Sequence, residues 1–127
     1  MSAARPTPSA TLDAVFGALA HPSRRQILTI LVARGGVMTA GEIADRFKCS
    51  WPTTTRHLGV LEEAGALRVV RRGRNRHSIV ATAALRDTLQ WLEQLVEGAE
   101  EAEEDNDRPG WVSKGYASMR NAQPPGA

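Results

Sequence analysis

Thiol chemistry is nearly absent from this sequence. Cys49 is the single cysteine among 127 residues, so no disulfide can form within one chain, which suits a reducing cytoplasm. Aromatic residues make up only 5%, and no apolar run approaches the roughly 18 to 20 residues a membrane span needs. The opening stretch MSAARPTPSATLDAVF lacks the unbroken apolar segment of a secretory signal. Ser/His/Asp arrangements, phosphate-cradling glycine loops and paired catalytic carboxylates find no candidate spacing. His21, His57 and His77 lie far apart in unlike contexts. The expectation is a chain that is not an enzyme, holds no cofactor and crosses no membrane.

Charge is present but unevenly placed. The formal net charge of +2 averages two opposite regions. Arg56, Arg68, Arg71, Arg72, Arg74 and Arg76 face only Glu62 and Glu63 in the same stretch, whereas Glu93 to Asp107 is acidic throughout. A chain so divided can offer a polyanion one surface and repel it from another. A hydrophobic share of 42% allows one modest core, and the length suits a single domain.

Along the chain, residues 1–10 are rich in Pro, Ser and Ala and read as a disordered tail. The spacing of Leu12, Val15, Phe16 and Leu19 predicts a helix from about Thr11 to Ala20. His21-Pro22 ends it and opens a second, about Ser23 to Arg34, with Ile27, Leu28, Leu31 and Val32 inward and Gly35-Gly36 as its stop. Thr39-Ala40-Gly41-Glu42 has the form of a capping box and starts a short helix to Phe47 that buries Ile43, Ala44 and Phe47. A tight link, Lys48-Cys49, leads into residues 50–65, SWPTTTRHLGVLEEAG.

That last stretch organises the reading. At roughly 100° per residue, Thr54, Leu58 and Leu61 share one face and Pro52, Thr53, Arg56 and Val60 the other. The outer face holds a cation, hydroxyls and compact groups, and no acid until Glu62. Such a face fits a DNA major groove, where acidic side chains are repelled. Two short helices so joined form a helix-turn-helix. Trp51 beside the Ser50 cap reads as a cover for the core, with sugar–phosphate contact as the alternative. Ala66 to Arg71 and Arg76 to Val80 then flank a Gly/Asn turn and predict a β-hairpin with a cationic tip. Crowded arginines repel one another, and phosphate relieves that repulsion. From Thr82 a long helix follows, with Leu85, Leu89, Leu92, Val96 and Ala99 as a narrow seam suited to pairing with another helix. It frays within Glu100–Asp107, and residues 108–127 read as a flexible tail.

The segments FGALAHPSRRQILTIL, MTAGEIADRFKCSWPTTTRHLGVLEEAGAL and VVRRGRNRHSIV, in this order and spacing, resemble the ArsR-type winged-helix bacterial repressors. The likeness covers residues 12–97 and implies a mainly α fold with a small β-hairpin wing. It also implies a homodimer, paired through the first and last helices, that represses a promoter until a signal releases it. The family's metal sensors carry an ELCVCD box where this chain reads Val37-Met38-Thr39-Ala40-Gly41-Glu42, so both thiol positions are lost, to Thr39 and Gly41. The family's second metal site uses acids and histidines on the last helix, which here has no histidine. No metal site is expected.

The resulting expectations are specific. Residues 11–107 form the DNA-binding and dimerisation domain, which binds double-stranded DNA at an inverted-repeat operator. Ser50, Trp51, Pro52, Thr53, Thr55, Arg56 and His57 on the helix, with Arg72, Arg74, Asn75 and Arg76 on the wing, face DNA. Leu12, Val15, Phe16 and Leu19, with Leu85, Leu89, Leu92 and Val96, meet a two-fold mate. Cys49 reads as a small packing residue rather than a redox switch, His57 as packed rather than ligating, and His77 as a possible phosphate contact. The effector is left open. A rival reading is a winged helix that docks an acidic protein partner; another is an enzyme accessory fold, which only the tail favours.

Overall fold

His21-Pro22 divides two helices for reasons visible in its backbone. The computed structural model describes residues 8–104, with α1 (Pro8–Leu19) before this break and α2 (Pro22–Ala33) after it. His21 is extended at φ −98° and ψ 124°, and its Nδ1 accepts the Ser23 N–H at 3.2 Å, so the histidine caps α2. Proline occupies the first turn, where a missing N–H costs nothing. The sequence reading starts α1 at Thr11, but the helix already includes residues 8–10. A fixed proline φ suits a first turn, so the disordered tail is drawn too long at that end. Residues 1–7 and 105–127, including Trp111, Tyr116 and the end of the acidic run, lie outside the described residues.

The α1 stripe is centred differently from the prediction. Val15 and Ala18 are buried, whereas Phe16 is 40% exposed, because α1 packs on both α2 and a later helix, α4 (Trp51–Glu63). On α2, Ile27 and Leu31 are buried and Leu28 and Ile30 pack beside them. Val32, expected inward, is 64% exposed. Gly35 and Gly36 end α2 at φ 88° and 91°, and the Gly36 N–H reaches the Leu31 carbonyl at 2.6 Å. These left-handed positions suit glycine.

Strand β1 (Val37–Thr39) has no counterpart in the sequence reading. Three residues are too short for an alternation to register. It joins β2 (Leu67–Arg72) and β3 (Asn75–Val80) in an antiparallel sheet of order β1-β3-β2. Thr39 then caps α3 (Ala40–Phe47), with both halves of the capping box formed. Its backbone and hydroxyl bonds to Glu42 hold that carboxyl below the usual carboxylate range, and Arg34 and His77 add to the effect. Lys48, left-handed at φ 51°, turns the chain from α3 into α4. The core joins Ala18, Ile27, Leu31, Met38, Ile43, Leu58, Leu61, Ala64, Ala66 and Leu67.

Gly65 leaves α4 at φ 82°, and a Cβ added there would stand 3.1 Å from the Ala84 Cβ. The position therefore needs glycine twice, for conformation and for space. The final helix, α5 (Ala83–Glu104), starts as the Thr82 carbonyl accepts the Arg86 N–H at 2.8 Å. It is continuous to Glu104, inside the run where like charges predict fraying. The chain divides into two compact units within this helix, one ending at Leu89 and the other beginning at Gln90. Among the described residues, no helix is long and apolar enough to cross a membrane.

Candidate nucleic-acid interface

The α3–α4 corner is built from backbone bonds first. Lys48 and Cys49 both direct their N–H groups to the Ala44 carbonyl, the latter at 3.3 Å. Ser50 is extended, and its hydroxyl oxygen accepts the Thr53 N–H at 3.3 Å. The same hydroxyl donates to Thr53 Oγ1 at 3.0 Å, so the Ser50 side chain is engaged in the cap. Thr53 Oγ1 keeps its own proton for a further acceptor. Thr54, Leu58 and Leu61 are buried beneath, which fixes the rotation of α4 and leaves Trp51, Pro52, Thr53, Thr55 and Arg56 exposed. Val60, assigned to that outer face from the sequence, instead packs half-buried against the core.

Trp51 does not cover the core. It is 58% exposed, with the edge of its six-membered ring 3.9 Å from the place a Cβ on Gly41 would take. His57 also departs from the expected set. Its Nδ1 lies 3.3 Å from Arg24 Nη1, and its ring centroid is 4.7 Å from that of His21. Arg24 is itself anchored by donating from Nε to the Ala18 carbonyl at 2.7 Å. Burial first, then His21, Arg24 and Arg56, hold the His57 imidazole below its ordinary pKa. The ring is thus half-buried on the α2 side of the helix, beside Arg24 and His21.

The wing follows from a two-residue turn. Gly73 is at φ 62° while Arg74 stays at negative φ, the signature of the type II′ hairpin with glycine first. The register pairs Arg71 with Arg76 and Arg72 with Asn75. Strand alternation then sorts the arginines. Leu67, Val69 and Arg71 share a face with Val80, Ser78 and Arg76, and this is the face whose Leu67 and Ser78 are buried. Arg68, Val70 and Arg72 lie on the other face with Ile79, His77 and Asn75. His77 sits between Thr39 and Val70, half-buried, with Nδ1 buried and lacking a hydrogen-bond partner among the described residues. It is a residue of the central strand, held within the sheet on both sides.

A cleft of about 390 Å³ lies between α4 and the inner face of the wing. Trp51, Thr55, Leu58, Gly59 and Glu62 line it from the helix, and Val69, Arg71, Arg76 and Ser78 from the sheet, with Ala40 at one end. Of the expected DNA-facing residues it joins Trp51, Thr55 and Arg76. Thr53 and Arg56 lie elsewhere on the helix, and Arg72, Arg74 and Asn75 elsewhere on the exposed wing. Arg71, one of the crowded arginines of the wing, lines the cleft but is missing from the expected DNA-facing set. Strand parity set from the turn would have paired it with Arg76.

The expected dimer residues are not equally available. Val15 is wholly buried within the protomer and has no surface to offer a mate, which removes it from the interface. Leu19 and Leu85 pack half-buried on the protomer core, and Leu12 is half-buried. Phe16, Leu89, Leu92 and Val96 remain exposed, together with Trp91 and Leu95, which the narrow seam omits. Cys49 is half-buried and its thiol donates to the Phe47 carbonyl at 3.5 Å. Among the described residues, no group of three or more His, Cys, Asp or Glu side chains could hold a metal ion.

Comparison with known proteins places these features. Residues 19–70 match the model of a helix-turn-helix domain. The chain is 37% identical over 81 residues to the transcriptional repressor SdpR of Bacillus subtilis (strain 168), covering 64% of this chain and 88% of that protein. The crystal structure of an ArsR family transcriptional regulator superposes with a TM-score of 0.65 at 31% identity, over 71% of this chain and 97% of the other. A homodimeric winged helix-turn-helix DNA-binding domain from Mycobacterium bovis, solved in solution, gives a TM-score of 0.52 at 25% identity, over 80% and 92% of the two chains. With a helix-turn-helix, a basic wing and relatives of this kind, the chain is a member of the ArsR family of winged helix-turn-helix transcriptional regulators.

Proposed function

We propose that the protein is a homodimeric repressor that binds an inverted-repeat operator in the cytoplasm. Residues 8–104 supply both its DNA-binding and its dimerisation surfaces. The observation that carries this reading is the exposed start of α4: Thr53, Thr55 and Arg56 stand clear of the core while Thr54 and Leu58 fix the helix from below. Arg56 is the side chain for a bidentate bond to guanine, and Thr53 and Thr55 suit neighbouring base edges. Ser50, Trp51 and Pro52, at the helix start, lie against sugar–phosphate. Arg71, Arg72, Arg74, Asn75 and Arg76 take positioning contacts to phosphates. Pairing through Phe16, Leu89, Leu92, Leu95 and Val96 covers apolar surface that a lone protomer leaves in water. The repressor role is supported by the likeness to SdpR, and the dimer by the M. bovis domain.

The test is selection of bound duplexes from a random library, followed by sequencing. A recovered inverted repeat supports the reading, and the same site upstream of a gene, with transcription rising when the protein is deleted, completes it. A pool without enrichment would instead favour a winged helix that docks an acidic protein.

A further inference from the structure

We propose that the cleft between α4 and the wing is a small-molecule site for a planar aromatic monocarboxylate, and that its occupant excludes DNA. The exclusion half rests on the DNA reading above; the binding half does not.

The cleft has the size and wall chemistry of a ligand site rather than of a packing fault. Its volume of about 390 Å³ falls within the range typical of small-molecule pockets. Trp51, Leu58 and Gly59 are spaced along one face of α4 and give it an apolar wall, with Val69 opposite. Gly59 contributes no side chain, and a Cβ built there meets no atom within 4 Å, so the helix leaves the space open at this point. The Trp51 ring stands at the α3 end, where it can stack on a flat ligand.

The charge is equally specific. Arg71 and Arg76 are direct cross-strand partners and line the same cleft. Like charges placed opposite each other on a hairpin are destabilising. A carboxylate between two guanidiniums removes that repulsion and accepts charge-assisted bonds. Glu62 lines the same cleft and repels a second negative charge, which favours a monoanion over a dianion. Apolar walls favour a ring over a bare inorganic anion. Because Trp51, Thr55 and Arg76 also belong to the proposed DNA face, an occupant would compete with DNA directly, without any change in dimer geometry.

Isothermal titration of the full-length protein with 2-naphthoate tests the site. Saturable binding at one ligand per chain is expected, at least about tenfold tighter than for neutral 2-naphthylmethanol, naphthalene-2,6-dicarboxylate or acetate. Arg71→Gln should weaken 2-naphthoate about tenfold or more. Gly59→Leu should abolish binding by filling the cleft, while a helix-favouring residue keeps the fold, checked by its melting curve. Equal affinity for the neutral alcohol, or undiminished binding to Gly59→Leu, would overturn the site. For the second half, saturating 2-naphthoate should weaken operator binding by the wild type and not by Gly59→Leu. Simultaneous binding of naphthoate and operator would overturn the exclusion. If naphthoate binds and no duplex does, the site stands and the DNA reading fails.

Discussion

Arg56 and Arg74 carry the same charge, yet their surroundings suit them to the different tasks proposed for them. Arg56 projects from the exposed face of a helix whose rotation is fixed by Thr54 and Leu58, so its guanidinium has a defined origin. Arg74 occupies the second position of a two-residue turn and has only the hairpin behind it. Arg56→Ala should therefore relax preference at one base position per half-site, a loss of about 1 to 3 kcal/mol against the best operator. Arg74→Ala should weaken every duplex alike. Binding titrations on a panel of single-base operator variants distinguish the two patterns, and identical profiles for both variants would contradict the assignment. His57 supports a prediction of another kind. Its folded-state pKa lies below the ordinary value of 6.5, with burial as the first cause. Below that pH the unfolded chain binds a proton that the folded protein resists, so the unfolded state is favoured as pH falls. The stabilising share of this residue is complete above about pH 6.5 and is lost towards its lower folded-state value. Melting temperatures of wild type and His57→Gln between about pH 7.5 and 5 should converge at the acid end. Parallel curves would mean that burial and the neighbouring cationic groups do not restrict protonation of His57.

Helix ends were the most readable elements, because their signals are local and chemical. Thr39 with Glu42, Ser50, Gly65 and the Pro22 start all hold the places their side chains suggest. Burial was less readable. Apolar periodicity shows that Val15 and Phe16 belong to one stripe of α1, but not which of them meets α2 and α4. The half-burial of His57 is hard to read for a related reason. Its position near the edge of α4 leaves it to Arg24 to draw the ring inward, and that partner lies far away in sequence. Strand β1 escaped because short strands are defined by their neighbours, here His77, Ser78 and Ile79. Two substitutions probe this level. Gly65→Ala should cost about 1 to 2 kcal/mol from left-handed strain, with more from the close Ala84 Cβ, measured by urea unfolding. Leu92→Glu with Leu95→Glu should turn a dimer into a monomer in light scattering, since both side chains are exposed on α5. A variant still dimeric at tens of micromolar would place the interface elsewhere.

For the molecule as a whole, the wing arginines should make affinity a strong function of salt. Each phosphate neutralised contributes a slope of about 0.9 in the log–log plot, and a two-fold dimer doubles the count. Neutralising Arg72, Arg74 and Arg76 together should flatten the plot while leaving base preference intact; an unchanged slope would remove the wing from the interface. The two recognition helices should read half-sites about 34 to 36 Å apart, or a multiple of that, seen as protected patches on one side of the duplex. The order β1-β3-β2 has a different consequence. Among the described residues it leaves β2 at an edge of the sheet, where unpaired amides and carbonyls can recruit a strand from another molecule. Arg68, Arg71 and Arg72 stand along that margin and make such an approach electrically unfavourable. Arg71 and Arg72, proposed above to hold DNA, should thus also oppose fibre-like association, and a phosphate that screens them should weaken that opposition. If the wing meets an operator as proposed, the duplex would shield this margin; without DNA, the charge on these arginines should oppose the addition of one sheet to the next.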